Sequence, residues 1–315
     1  MNWHHRALLP LFVAVALTGC AADQEGMADL ANRQVRVVAT TSIVADLARE
    51  VGGERVRVTG LMGPGVDPHL YRASEGDVRR MMEADIVLFN GLHLEGRMGE
   101  LFEQMGSRGR PTVAVGNAID PARLLTPPEF EGAYDPHIWM DAGLWRDVVG
   151  RVADSLADLD PQSAAGYRGR AAAYEARLEE LDGYVRERIA GVPAELRVLV
   201  TAHDAFNYFG KAYDFDVRGL QGISTVAEAG TADVQELARF VAERRIPALF
   251  VETSVSPRSI EAVQAAVRAR GFAVEVGGNL YSDALGGPGS GADTYDGMIR
   301  HNVDTIVEAL LAKRE

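Results

Sequence analysis

From Val35 onward, short β-branched apolar runs alternate with segments of helical period, and the alternation breaks only once. Strands interleaved with helices favour parallel βα units with right-handed crossovers, which excludes most all-α and all-β folds at the outset. The spacing predicts a strand at Val35–Thr40 and a helix from Ser42 to Val51, capped by Thr41 or Ser42 and closed at Gly52-Gly53. A second strand is expected at Val56–Leu61, a helix at about Ser74–Met82 and a strand at Asp85–Asn90. A helix at about Glu95–Met105 and a strand at Pro111–Val115 complete this half.

The break follows a helix predicted over Ala142–Leu159. From Pro161 to Ile189 the chain is rich in Ala, Glu and Arg, with Tyr167, Tyr174, Leu178, Leu181 and Tyr184 at helical spacing marking its buried face. It reads as one long helix between two lobes. The alternation then restarts, with strands at Leu196–Thr201, Phe215–Leu220, Ala248–Val251 and Phe272–Val276. Helices are expected at Ala205–Lys211, Thr231–Arg244, Pro257–Arg268 and Tyr295–Ala312. The expected fold class is α/β: two βα lobes with parallel sheets, at 35–160 and 191–315, joined by a long helix at 161–190.

The N-terminus addresses compartment. A short basic start is followed by an apolar run, Ala7 to Leu17, that is brief for a membrane span and suits a signal-peptide core. It ends in Leu17-Thr18-Gly19-Cys20, which resembles the bacterial lipobox, and Cys20 is the only cysteine in the chain. Residues 1–19 are therefore read as a lipoprotein signal peptide, Cys20 as the lipid-bearing first mature residue and 20–34 as a tether. No later segment is long and apolar enough to cross a bilayer, which implies an extracytoplasmic body held at a membrane by lipid. Removing residues 1–19 takes away one Arg and no acid, so the formal charge moves from −13 to −14. An acidic surface argues against nucleic acid or anionic lipid as the main partner. A lone cysteine rules out an internal disulfide and a thiolate metal site, so any tight metal site must use imidazole and carboxylate.

Histidine is scarce, with seven in 315 residues, yet the tripeptide Asp-Pro-His occurs twice. The copies are Asp67-Pro68-His69 and Asp135-Pro136-His137, each followed two residues later by an aromatic, Tyr71 and Trp139. One copy alone reads as a surface turn. Two favour a pair of ligands for one transition metal, with proline stiffening the chain and the aspartate free to bond a ring or a loop amide. Ligands in open parallel sheets bind beyond the carboxyl ends of strands. His69, His137, His203 and Asp283 all fall there, so facing lobes would bring three imidazoles and a carboxylate together. His203 could instead cap a helix, and Asp283 could shape the turn before Gly286-Gly287-Pro288. His93 also follows a strand and competes for a place, whereas His301 sits inside the last helix.

Six spaced motifs narrow the choice. Gly65-Val66-Asp67-Pro68-His69-Leu70-Tyr71, Asn90-Gly91-Leu92-His93-Leu94-Glu95 and Asp135-Pro136-His137-Ile138-Trp139-Met140-Asp141 occur in the first half. His203-Asp204-Ala205-Phe206-Asn207-Tyr208-Phe209, Phe250-Val251-Glu252-Thr253-Ser254-Val255-Ser256 and Tyr281-Ser282-Asp283-Ala284-Leu285-Gly286 follow in the second. Together they resemble the TroA-like solute-binding lipoproteins of bacterial manganese and zinc ABC importers, over essentially all of residues 35–315. The resemblance implies a metal site in the interlobe cleft, with His69, His137, His203 and Asp283 as ligands and His93 left out. Asp67, Asp135 and Glu252 are expected as supports around it. The implied partners are a transmembrane permease with its cytoplasmic ATPase, and the protein is expected to be a monomer.

Manganese-selective members commonly carry Glu at the position of His203, and dedicated zinc members commonly lack the Asp283 equivalent. They also carry a His-rich acidic loop before the second Asp-Pro-His, and residues 117–134 contain no histidine. The chain thus falls between the groups, with Zn²⁺ or Mn²⁺ as cargo and Fe²⁺ also compatible. Three nitrogens and a carboxylate suit tetrahedral Zn²⁺, and a bidentate carboxylate gives five donors, which suits Mn²⁺ or Fe²⁺ better. A different class of function, a membrane-tethered zinc-dependent hydrolase, needs an open coordination position and a base, for which Glu252 is the candidate. A metal-binding surface adhesin is a third reading.

Overall fold

The computed structural model describes residues 30–312 apart from 31 and 131. The signal peptide, Cys20 and most of the tether lie outside the described residues. The fold is α/β, with every paired strand parallel to its neighbour.

In the first half, β1 (Val35–Ala39), β2 (Val56–Gly60), β3 (Ile86–Phe89) and β4 (Thr112–Ala114) form one sheet in the order β2-β1-β3-β4. Central β1 buries four of its five residues, as a strand covered on both faces must. Helix α1 (Ser42–Gly52) starts where the Thr41 hydroxyl accepts the Val44 amide, and ends where Gly53 turns left-handed at φ 57°. Helix α2 (Glu75–Glu83) opens on a reciprocal Ser74–Asp77 capping box. The helix expected from Glu95 begins later: a 3₁₀ turn at Gly96–Met98 precedes α3 (Gly99–Ser107). Glu95 is instead buried, accepting the Asn90 and Gly91 amides and the Thr40 hydroxyl.

In the second half, β5 (Val198–His203) pairs with β6 (Asp216–Gln221), and β7 (Ala248–Glu252) pairs with β8 (Glu275–Leu280). β5 and β7 pack together, but among the described residues the two ladders stay separate. The last strand lies C-terminal to the predicted Phe272–Val276. Its interior holds Gly277 and Gly278, which read as a breaker in sequence. A β-carbon on Gly277 would come within 2.6 Å of Ala309, and one on Gly278 within 2.3 Å of Thr305. The last helix therefore lies directly on glycine backbone, a reason for glycine that no alternation pattern reveals.

Each half has its own apolar core. One gathers Val38, Met62, Met81, Val87 and Phe102, the other Val198, Val200, Leu249, Ile260 and Val263. Helix α4 (Ala142–Leu159) has the predicted bounds and is capped by Asp141, whose carboxylate accepts the Gly143 and Leu144 amides. The long helix α5 (Ala164–Ala190) starts three residues later than expected, after a 3₁₀ turn at Pro161–Ser163. Its buried stripe is Tyr167, Ala171, Tyr174, Leu178, Leu181, Val185 and Ile189. Tyr184 is only half-buried and sends its hydroxyl to Asp304. At about 1.5–3 kcal/mol for each large apolar side chain buried, this stripe outweighs the modest helix propensity of the segment.

The remaining helices are α6 (Asn207–Tyr213), α7 (Thr231–Arg244), α8 (Arg258–Ala269) and α9 (Tyr295–Leu311). Helix α5 touches both the first and the last helix of the α/β body. Arg170 donates to the Val51 and Gly52 carbonyls at the end of α1, and Arg188 joins Tyr184 on Asp304 of α9.

Candidate metal centre

His69 follows β2 in a loop set by its own Asp-Pro-His. The Asp67 carboxylate accepts the His69 amide at 2.8 Å, closing a tight local turn. In the second copy Asp135 does the same for the His137 amide at 3.0 Å and also reaches the ring, 2.8 Å from Nδ1. Identical tripeptides therefore do different work: one aspartate shapes a loop, and the other orients an imidazole as well. Asp135 is itself held by the Asn207 side-chain amide, and Tyr208 donates to its carbonyl.

His203 is the last residue of β5 and thus belongs to the strand; sequence reading put it just after. The Glu252 carboxylate, at the end of neighbouring β7, accepts the His203 amide at 2.9 Å through one oxygen. The other lies 2.6 Å from Nδ1, a close charge contact with poor hydrogen-bond alignment. Asp283 follows β8. Ser254 donates to its Oδ2 at 3.1 Å, and the adjacent Ser282 carbonyl accepts the Trp139 indole N–H at 2.7 Å. Ser254, Asn207, Tyr208 and Trp139 lie inside the quoted motifs, but nothing in their spacing reveals these contacts.

These supports bring His69, His137, His203 and Asp283 into one buried cluster, with one ligand-type atom from each lying within 4.8 Å of the others. The His69 and His137 Nε2 atoms are 3.3 Å apart. Asp283 faces two imidazoles: Oδ1 is 3.5 Å from His137 Nε2, and Oδ2 is 3.4 Å from His203 Nε2. All four residues are at most 3% exposed. His93 does not join them. It is exposed, with a left-handed backbone, and lines a cleft of about 540 Å³ that contains none of the four. His301 is also apart, exposed and within hydrogen-bond distance of the Asn279 carbonyl.

The electrostatics suit a cation. Burial pushes the His69 pKa down to about 3, so that ring is neutral at pH 7. Burial also opposes charge on His137 and His203, but carboxylates outweigh it. Asp135 and Asp283 raise His137, and Glu252 with Asp283 holds His203 well above an ordinary histidine. Burial would raise Asp283, yet the imidazoles around it hold it well below the usual carboxylate range. Carboxylates beside Nδ1 of His137 and His203 favour a proton there and leave Nε2 to face the cluster. His203 Nε2 and Asp283 Oδ1 are buried without a hydrogen-bond partner. Native proteins seldom leave such atoms unmatched, and a coordinated ion is one way to satisfy them. Glu252, the candidate base of a hydrolase, is engaged on both oxygens with His203.

The chain has close counterparts among known proteins. The chain is 48% identical over 301 residues to the manganese-binding lipoprotein MntA of Bacillus subtilis, covering 95% of this chain and 97% of that one. It is 49% identical over 275 residues to the zinc-binding protein TroA of Treponema pallidum, covering 87% and 88%. The solved structure of periplasmic zinc-binding protein TroA from Treponema pallidum superposes with a TM-score of 0.86 at 47% identity, covering 89% of this chain and all of that one. Residues 37–309 match the family described as ZnuA, zinc-uptake complex component A, periplasmic. With nearly the whole α/β body aligned, the chain belongs to the ZnuA family.

Proposed function

We propose that this protein is an extracytoplasmic binding component of an ABC importer, which captures a divalent transition metal and delivers it to a membrane permease served by a cytoplasmic ATPase. The ligands in this reading are His69, His137, His203 and Asp283. The observation that carries it is their burial as a cluster in which the atoms facing one another include His203 Nε2 and Asp283 Oδ1, both without a hydrogen-bond partner. Support for the transport role comes from family membership and from relatives named as metal-binding proteins and lipoproteins.

Binding and release are the whole activity in this reading, with no chemical turnover. Lipid on Cys20 would hold the body, as a monomer, at the membrane. The lobes at 35–160 and 191–315 would move slightly about the helix at 161–190, and loss of Asp283 would free the ion. Among the described residues, no helix is long and apolar enough to cross a membrane.

The cargo is Zn²⁺ or Mn²⁺, with Fe²⁺ compatible. Three imidazoles and one carboxylate oxygen fit a zinc tetrahedron. Asp283 presents both oxygens to the cluster, which also permits five donors and so a site that Mn²⁺ or Fe²⁺ can use. Zn²⁺ outranks Mn²⁺ in affinity for nitrogen-rich sites, so cargo must be read in cells and not from affinity alone. The test is metal analysis of protein expressed under defined manganese and zinc supply, paired with uptake in a deletion strain. His69→Ala and Asp283→Ala should each lose bound metal; unchanged stoichiometry and affinity in both would end the proposal.

A further inference from the structure

We propose that the hydrogen bond from Thr225 to Asp67 is a latch that sets the rate at which metal leaves the cluster, with Thr225 as a positioning residue. The inference rests on the metal-binding reading above.

The four clustered side chains come from both halves, and their loops are tied across the cleft very differently. The loop carrying His137 is pinned repeatedly to the second half. Trp139 donates to the Ser282 carbonyl, Tyr208 and Asn207 hold Asp135, and Tyr295 donates to the Trp139 carbonyl. On the His69 side the tie is Thr225 Oγ1 donating to Asp67 Oδ2 at 2.6 Å. The other oxygen of that carboxylate accepts the His69 amide. One side chain thus connects the second half of the protein to the backbone of a candidate ligand.

Two further observations place this bond at a gate. Gly65, two residues before Asp67, is left-handed at φ 69°, and a β-carbon there would come within 3.2 Å of the Thr253 carbonyl. The His69 loop therefore closes against the second half through glycine backbone. Beside the latch lies an open cleft of about 570 Å³ lined by Asp67, Leu70, Thr225, Glu228 and Ser254. Ser254 reaches Asp283 Oδ2 at 3.1 Å, so the cleft runs from solvent to within one side chain of the cluster. Thr225 is buried although its neighbour Val226 is 56% exposed, as is fitting for a hydroxyl drawn inward from a surface loop. A lobe movement that withdraws Asp283 from His69 must break the Thr225–Asp67 bond, because that bond ties the second half to the His69 loop. Charge-assisted bonds of this kind are strong enough for their loss to speed opening about tenfold.

The test uses full-length protein loaded with Zn²⁺, and in parallel with Mn²⁺, followed by stopped-flow release into excess chelator. Thr225→Val should bind the same amount of metal and release it about tenfold faster. Thr225→Ser keeps the hydroxyl and should release at the wild-type rate, which a purely structural role of the methyl group would not produce. Thr225→Ala, which cannot overpack, gives the same readout if valine disturbs folding. Release at the wild-type rate from the valine and alanine variants overturns the latch, as does fast release from the serine variant. A wild-type protein that takes up neither metal would overturn the metal reading itself, a result distinguishable from failure of the latch.

Discussion

Replacing Glu252 by Gln isolates one charge at the centre of this site. Glu252 is 3% exposed and touches His203 twice, at the backbone amide and at Nδ1. Glutamine keeps the volume, and its carbonyl oxygen can still accept the amide. Its NH₂ group then faces Nδ1, which must act as an acceptor. That arrangement moves the imidazole proton to Nε2, the nitrogen that faces Asp283 and is needed for the ion. Metal binding at Nε2 must reverse the tautomer, which leaves the Nδ1 N–H facing the amide NH₂, a donor against a donor inside the protein. Loss of a carboxylate behind a ligating histidine typically costs 10–100-fold in metal affinity, which is about 1.4–2.7 kcal/mol.

Competition against a chromophoric chelator at pH 7 measures the affinity, and calorimetry in two buffers of different ionisation enthalpy counts the protons released. The wild type should release more protons than the variant, because Glu252 contributes to holding His203 protonated in the metal-free protein. Affinity within twofold of wild type, together with unchanged proton release, would refute the reasoning.

Acid should weaken binding through the same groups. His137 and His203 have raised pKa values, so their protonation is stabilised in the metal-free fold and the ion must displace those protons. Affinity should rise with pH until both are neutral and fall as pH drops, with a slope approaching ~2 protons per ion; a flat titration across pH 5–8 would contradict this. Far from the cluster, Arg170→Ala removes two guanidinium bonds to the Val51 and Gly52 carbonyls. It should cost about 2 kcal/mol of stability, read as a lower urea midpoint, while leaving metal affinity unchanged.

Most elements were legible because their patterns are local. Ala142–Leu159 and Thr231–Arg244 show clean helical periods between clear end signals, and the structure has them at the predicted bounds. The last strand was misplaced because Gly277 and Gly278 are dictated by the packing of α9, and sequence periodicity carries no information about a helix lying on a strand. Tyr184 was assigned to the buried stripe by spacing, but its hydroxyl turns toward Asp304 at the stripe's edge, and Val185 fills the interior. Thr225 had no signal at all, since an isolated threonine in a loop looks the same whether or not a carboxylate from the other half meets it.

The chain by itself determined the residue types a metal could use, because one cysteine leaves only imidazole and carboxylate. It also determined the order of strands and helices, since hydrophobic period and capping act over a few residues. Local patterns left His93 in competition and the family resemblance implied His69, His137 and His203, but only the tertiary structure brings those three together. His69 and His203 are far apart in sequence, yet their rings lie 5.8 Å apart, while His93 stays on the surface. It also decided that the twin Asp-Pro-His motifs differ, one aspartate tied to Thr225 and the other to an imidazole. Such roles depend on which surfaces the folded halves press together, and no local pattern encodes that.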